Sequence, residues 1–113
     1  MLKGENFLGR EIGRTVLRLR ILYRVKREKM YTYALLKEFD EIPFFKLLGD
    51  DLKNDVYNAI NSLQQGGYIR VSTKLEGGRM KKYYTITKKG DGVLKSAFKV
   101  RKQAVNELSK LFD

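Results

Sequence analysis

The chain has 113 residues, the size of one domain, and its 24 lysine and arginine residues outnumber 13 acidic residues to give a formal net charge of +11. It contains no cysteine and no histidine, which excludes disulfides and thiolate metal sites and removes the usual zinc ligand and the commonest general base. Its apolar runs are far shorter than the ~18–20 residues of a membrane span, and its N-terminus lacks the layout of a signal peptide. We therefore expect a cytoplasmic protein with no metal, no cofactor and no membrane partner.

The positive charge is concentrated in two blocks. Residues 1–30 and residues 66–90 each carry a net charge of +6, whereas residues 31–65 carry −3. Such a pattern suits a polyanion, because each cation that neutralises a phosphate releases condensed counterions. Solvated surface charge is the alternative, but it predicts acidic residues that roughly match the basic ones. The charge pattern favours nucleic acid as the partner.

Hydrophobic spacing predicts three helices in the first part of the chain. The first covers residues 10 to about 25, and the second covers about 31–39. The apolar loop at 44–49 is expected to pack against the body of the protein. Asp50 or Asp51 caps the third helix by accepting the free amide hydrogens of its first turn. The core face of this third helix consists of Leu52, Val56, Ile60 and Leu63.

Strand-type alternation follows the third helix. Residues 68–75 and 79–86 are predicted to pair around a turn at Gly77-Gly78, and Thr87 caps a final helix that reaches about residue 112. This order predicts an α+β, mainly helical fold, a winged helix-turn-helix with three helices, a two-stranded β-hairpin wing and a C-terminal helix. Residues 1–113 form a single domain, with the body over about 1–86 and the C-terminal helix over about 87–112.

Amide side chains form one face of the third helix. At ~100° per residue, a narrow stripe opposite the core face holds Asn54, Asn58, Asn61 and Gln65. An amide pairs a donor with an acceptor, which matches the edge of adenine in the major groove of DNA. Lys53 and Tyr57 flank the stripe and are candidates for phosphate contacts. The alternative is an uncharged solvent-exposed face.

The predicted hairpin carries three cations beside its glycine turn, namely Arg79, Lys81 and Lys82. A cationic wing of this kind suits the minor groove, where the backbone potential of DNA is most negative. The alternative is that lysines protect an exposed sheet edge from pairing with another chain. We favour the DNA role.

The first helix carries a basic stripe at Arg10, Arg14 and Arg18, which lie four residues apart. Three roles remain open for it. The arginines contact the DNA backbone, pair with Glu11 and Glu28, or line a dimer groove.

The final helix has an apolar stripe that a body of this size does not fully cover. Its members are Val93, Ala97, Val100, Ala104, Leu108 and Leu111. Packing within the chain is one interpretation. We favour dimerisation, because two copies that bind a palindromic site provide a spacing and an affinity that one module lacks.

Three segments resemble the PadR family of transcriptional regulators. Residues 79–90, RMKKYYTITKKG, resemble the wing of that family and the Thr-x-x-Gly that opens its last helix. Residues 52–69 are similar to its recognition helix, and residues 30–35 to the start of its second helix, with Thr32 where glycine is usual. The resemblance implies a homodimeric regulator, usually a repressor, with Tyr33 and Tyr57 near the DNA face. Family members often respond to small aromatic ligands, but the short C-terminal helix and the absence of tryptophan give no support for such an effector here.

The sequence therefore predicts a homodimeric regulator, a repressor, that binds double-stranded DNA with sequence preference and associates with the nucleoid when bound. The recognition helix, about 51–65, enters the major groove, and the wing, about 75–83, lies at the minor groove or the backbone. The alternatives are an architectural protein that coats DNA with little sequence preference and a winged-helix module that binds other proteins. We expect no enzyme, because the acidic residues have the positions of helix caps and helix ends.

Overall fold

The computed structural model describes residues 3–43, 45 and 51–112, except for the side chains of 3–10, 102, 104, 105, 109 and 112. In this part of the chain, four helices pack against the inner end of one small antiparallel sheet. The elements are α1 (Lys3–Arg27), β1 (Met30–Tyr31), α2 (Thr32–Asp40), α3 (Leu52–Gln65), β2 (Ile69–Glu76), β3 (Arg79–Ile86) and α4 (Lys88–Phe112). Among the helices of the described residues, none is both long enough and apolar enough to cross a bilayer.

The fold confirms the predicted winged helix. The bounds of α2 and β2 shift by one residue, and two larger details differ from the prediction. Helix α1 begins at Lys3 rather than at residue 10. The added turns lack the apolar spacing on which the prediction depended, yet an established helix extends readily because each further residue adds a hydrogen bond. The second detail is β1, a strand of two residues that was not predicted.

Strand β1 widens the inner end of the hairpin to three strands in the order β1-β3-β2. Met30 pairs with Tyr84, and Tyr31 pairs with Tyr83. A strand of two residues is too short to show the alternation of apolar and polar side chains by which strands are predicted. The pairing of β1 depends on tertiary contacts instead. Beyond Tyr31, no described residue pairs with the outer half of β3 on this side.

The hydrophobic core lies between the helices and the inner end of the sheet, where α1 packs against α3, α4 and β3. Three of the four residues predicted for the core face of α3 are buried, and Leu52 is half-buried. Phe45 is buried, which confirms the packing of that loop residue, while Phe44, Leu47 and Leu48 lie outside the described residues. The buried residues are Leu17, Ile21, Leu22, Val25, Met30, Leu35, Phe39, Phe45, Val56, Ala59, Ile60, Leu63, Ile69, Tyr84 and Leu94.

Two ion-pair clusters fasten α1 to its neighbours. Glu38 of α2 accepts hydrogen bonds from Arg20 at 2.7 Å and from Arg24 at 2.8 Å. On another side of the same end of α1, Asp91 of α4 pairs with Lys26 at 2.7 Å, and also with Lys95 at 3.0 Å. The hydrogen bond from Lys26, followed by that from Lys95, lowers the pKa of the Asp91 carboxyl. These pairs fix α2 and α4 against α1.

Candidate nucleic-acid interface

Helix α3 presents its amide residues to solvent. Asp51 caps the helix, as one of the two predicted candidates, and its carboxylate accepts a hydrogen bond from the backbone nitrogen of Asn54 at 3.3 Å. Because Val56, Ala59, Ile60 and Leu63 are drawn into the core, the opposite side of the helix faces outward. The predicted stripe of Asn54, Asn58, Asn61 and Gln65 is exposed along its whole length.

The turn of the wing has the backbone geometry that the two glycines predict. Gly77 and Gly78 have φ values of 57° and 76°, and Glu76 pairs with Arg79 across the turn. Positive φ at both central residues is the requirement of a type I′ turn, whose twist matches that of the strands. Since side chains alternate along a strand, Arg79 and Lys81 project from one face of the wing and Lys82 projects from the other. The predicted cations are therefore distributed over both faces.

One carboxylate lies among the cations of the wing. The Tyr83 hydroxyl donates a hydrogen bond to Oε2 of Glu76 at 2.7 Å, and the Nζ atoms of Lys74 and Lys81 lie 3.5 and 3.9 Å from its carboxylate oxygens. The hydrogen bond from Tyr83, with the attraction of the two lysines, lowers the pKa of Glu76. Arg79 and Lys82 have no carboxylate partner within the described residues, so their charges remain available.

Helix α3 and the wing face each other across a groove of about 720 Å³. Tyr57, Ile60 and Asn61 line it from α3, and the wing contributes its residues 79–82. Tyr31, Thr32 and Tyr33 close one end. Six of the nine residues predicted to contact DNA meet in this groove: Tyr33, Tyr57, Asn61, Arg79, Lys81 and Lys82. The recognition helix and the wing thus occupy the same side of the molecule.

The other three predicted residues lie beside this groove. Lys53 lines an adjacent cleft between α2 and α3, together with Tyr33. Asn58 lines a cleft toward α1, and Asn54 lies on the outward face of the first turn of α3. The structure therefore distributes the predicted stripe over more than one flank of the helix.

Aromatic rings at the end of the groove include residues that the sequence analysis missed. Tyr31 stacks on Tyr33 with centroids 6.5 Å apart and meets Tyr83 edge-on at 5.8 Å. Lys81 and Lys29 place their ammonium groups 5.2 and 5.0 Å from the ring centroids of Tyr31 and Tyr83. Tyr31 lines the groove, and Lys29 contacts the Tyr83 ring beside it, because β1 pairs with β3; no local signal predicted that pairing.

The arginine stripe of α1 lies on the other flank of α3. Arg14 and Arg18 line a cleft of about 300 Å³ with Asp55 and Asn58. Of the predicted acidic partners, Glu28 pairs with Arg24 at 3.1 Å, and Glu11 forms no ion pair in the described residues. The side chain of Arg10 lies outside those residues.

The apolar stripe of α4 is largely uncovered in the single chain. Val93, Val100, Leu108 and Leu111 are exposed, Ala97 is half-buried, and the side chain of Ala104 lies outside the described residues. Packing within the chain uses different residues: Leu94 is buried, and Phe98 meets Tyr23 of α1 with centroids 6.0 Å apart. Ile12 and Val16 of α1 are exposed as well.

The comparisons with known proteins agree with this geometry. A family model described as the transcriptional regulator PadR-like family matches residues 21–96, which include α3 and the wing. The comparison with curated proteins finds no match.

Several solved structures are similar to the chain. One is a PadR family transcriptional regulator from Eggerthella lenta, with 26% identity and a TM-score of 0.73 over 91% of this chain and 87% of that chain. A second is a PadR-like transcriptional regulator from Bacillus cereus, with 28% identity and a TM-score of 0.64 over 83% of this chain and 91% of that chain. A third is Bacillus subtilis PadR in complex with operator DNA, with 24% identity and a TM-score of 0.61 over 74% of this chain and 46% of that chain.

Proposed function

The chain belongs to the PadR-like family of transcriptional regulators, and from this premise we propose that it represses transcription as a homodimer bound to double-stranded operator DNA. The observation that carries the proposal is the groove in which exposed residues of α3 face the cations of the wing. A helix in the major groove and a hairpin in the adjacent minor groove must project from the same side of a protein. The similarity to Bacillus subtilis PadR, whose structure contains operator DNA, supports the same use of the surface.

In this proposal the exposed amides of α3 read base edges. Asn54, Asn58 and Asn61 each offer a donor and an acceptor, the combination that adenine presents in the major groove. Helix α3 contains one basic residue, Lys53, and one acidic residue, Asp55. Most of the affinity must therefore come from cations elsewhere, and base discrimination favours sites that contain A·T pairs.

The wing supplies the contacts with the phosphates and the minor groove. Arg79 and Lys82 are exposed and have no acidic partner in the described part of the chain, while Lys81 shares its charge with Glu76. Arginine and lysine are drawn to the minor groove where it narrows, because the negative potential is strongest there. Lys53 and Tyr57 contact the backbone beside the recognition helix, and Tyr33 lies next to them.

The uncovered apolar residues of α4 support the dimerisation part of the proposal. Leu108 and Leu111 are 53% and 71% exposed, an unusual condition for leucines on one stripe of a helix. A second copy that covers this stripe, together with Ile12 and Val16, would place two recognition helices about a two-fold axis. Residues 1–86 then form the DNA-binding body and residues 87–112 the dimerisation helix.

Selection of duplexes from a random pool tests the proposal. We expect an enriched, palindromic site that binds at least ~10³-fold more tightly than random duplex, as regulators do. A ratio near one would instead identify an architectural protein that coats DNA. Failure to bind any duplex at moderate salt would indicate a module that binds other proteins.

Two variants assign the contacts on the selected site. Asn58→Ala is expected to relax the preference at one base position. Lys81→Ala with Lys82→Ala is expected to weaken binding to every duplex and to reduce the slope of log K against log salt by up to ~2 for each protomer. Lys88→Ala with Lys99→Ala is the matched control, because both lysines are exposed on α4 away from the groove. Unchanged affinity in both test variants would contradict the docking geometry.

A further inference from the structure

We propose that Arg14 and Arg18 of α1 form a second phosphate-binding surface, on the flank of α3 opposite the wing. The recognition helix would then lie between two sets of cations that bind the two backbones of one major groove. This inference rests on the proposed function, because it requires α3 to occupy that groove. Its ligand is the sugar-phosphate backbone of duplex DNA.

Arg14 and Arg18 lie on the side of α3 that faces away from the wing. They line the same cleft as Asp55 and Asn58, which project from one flank of α3. Tyr57 and Asn61 face the wing from the other flank. The exposed amide stripe lies between, so the α1 arginines and the wing cations stand on the two sides of the helix surface that would read bases.

The dimensions of B-DNA explain why cations on both flanks of α3 would contact phosphates. A helix with its side chains is ~10–12 Å across, and the major groove is ~12 Å wide. A helix in that groove therefore has a row of phosphates close to each of its flanks. The wing is placed to bind phosphates on one flank only, and Arg14 and Arg18 line the cleft on the other flank.

Charge pairing separates these arginines from their neighbours on the same helix. Glu38 holds Arg20 and Arg24 at 2.7 and 2.8 Å, so their charges are used within the fold. Arg14 and Arg18 are exposed and form no ion pair with any described residue. Asp55 lies in the same cleft, and Glu11 precedes Arg14 by three residues on α1. The negative charge of Asp55 would repel a phosphate bound in this cleft. Removal of that charge should therefore strengthen the binding of DNA.

The dimer-groove role, left open by the sequence, does not fit the side of α1 on which the arginines lie. At ~100° per residue, Arg14 and Arg18 are about 200° and 240° around the helix from Ile12. Ile12, Val16 and Tyr23 form the side of α1 that faces α4, as the contact between Tyr23 and Phe98 indicates. The arginines point away from the surface proposed to meet a second copy.

The test measures the salt dependence of duplex binding for the 113-residue chain with Arg14→Gln and Arg18→Gln. We expect the slope of log K against log salt to fall by about 2 for each protomer, with equal weakening on selected and random duplexes. Arg14→Lys with Arg18→Lys is expected to restore most of the slope, because the charge is retained. Lys88→Gln with Lys99→Gln removes the same charge from α4 and is expected to change the slope by less than half as much.

Three results would overturn the inference. They are an unchanged slope in the glutamine variant, an equal change in the α4 control, and a lysine variant as weak as the glutamine variant. If the parent protein binds no duplex, the proposed function itself fails, which is a separate outcome. Asp55→Asn supplies the reverse test: removal of the opposing charge is expected to raise affinity at least ~2-fold on every duplex, and weaker binding would count against the inference.

Discussion

Glu76 places one negative charge at the tip of a wing otherwise rich in cations. Its carboxylate accepts the hydrogen bond of Tyr83 across the hairpin and lies close to Lys74 and Lys81. These contacts lower the pKa of Glu76, and the same hydrogen bond raises the pKa of Tyr83. The pair therefore links the two strands near the turn and holds Lys81 in place.

The hydrogen bond between Tyr83 and Glu76 can be tested by titration of the Glu76 carboxyl. In Tyr83→Phe the pKa of Glu76 is expected to rise toward its ordinary value of 4.5, because the largest cause of the shift is removed. In the wild type, the stabilisation from Glu76 is complete above 4.5 and is lost as the pH falls through the lowered pKa of the folded state. Carboxyl ¹³C shifts of Glu76 followed against pH measure both values. Identical titration curves for the two proteins would contradict the role assigned to Tyr83.

For single residues, the sequence predicted which side chains are exposed but not which neighbours they contact. The exposure of Asn54, Asn58 and Asn61 was predictable, because the apolar period fixes which side of a helix is buried. Which neighbour each amide meets was not predictable. Asn61 faces the wing and Asn58 faces α1, and that division depends on how α3 crosses two distant elements.

At the scale of elements, the start of α4 is fixed to the end of α3. The Thr87 hydroxyl donates to the carbonyl of Gly67 at 2.7 Å and accepts a hydrogen bond from the backbone nitrogen of Gly90 at 3.1 Å. Lys89 donates to the carbonyl of Gly66 at 2.7 Å. This junction sets the angle at which α4 leaves the body. It also explains the Thr-x-x-Gly pattern, since a Cβ atom on Gly90 would lie 2.1 Å from the carbonyl oxygen of Tyr68.

Gly90 and Gly92 form a matched pair for a stability test. Gly90→Ala is expected to lower the free energy of unfolding by about 1–3 kcal/mol or more, because backbone must move to relieve the collision. Gly92→Ala is expected to raise it by ~0.5–1 kcal/mol, because nothing lies within 4 Å of its Cβ position and alanine favours helix. Urea denaturation followed by circular dichroism measures both. Equal stabilities for the two variants would show that the close approach at Gly90 does not exist.

The elements themselves were largely readable from the sequence, and their exceptions have physical causes. The bounds of β3 were predicted to the residue, because the two glycines fix the turn and the turn fixes the register of the hairpin. Strand β1 was missed, because its two residues gain their backbone partners only from Tyr83 and Tyr84, far along the chain. Residue propensities and hydrophobic periodicity predict elements that form from local sequence, whereas β1 forms only through contacts with a distant strand.

The whole molecule presents two surfaces with different chemistry. Cations and amides occupy the side formed by α3 and the wing, whereas exposed aliphatic residues follow α4 and continue at Ile12 and Val16. Lys26 and Asp91, with Tyr23 and Phe98, show that α1 and α4 run antiparallel where they meet. The exposed ends of the two helices thus leave apolar residues that one copy does not cover.

Substitution of the α4 stripe tests the dimer. Leu108→Glu with Leu111→Glu is expected to halve the solution mass measured by light scattering, because four buried carboxylates in a symmetric interface would have no partners. The matched control is Gln103→Glu with Asn106→Glu, which adds the same charge to exposed positions of α4 outside the apolar stripe. We expect the control to remain dimeric and the leucine variant to lose at least ~100-fold in affinity for a palindromic site, since each half-site must then be bound separately. A leucine variant that keeps both its mass and its affinity would place the dimer interface elsewhere on the molecule.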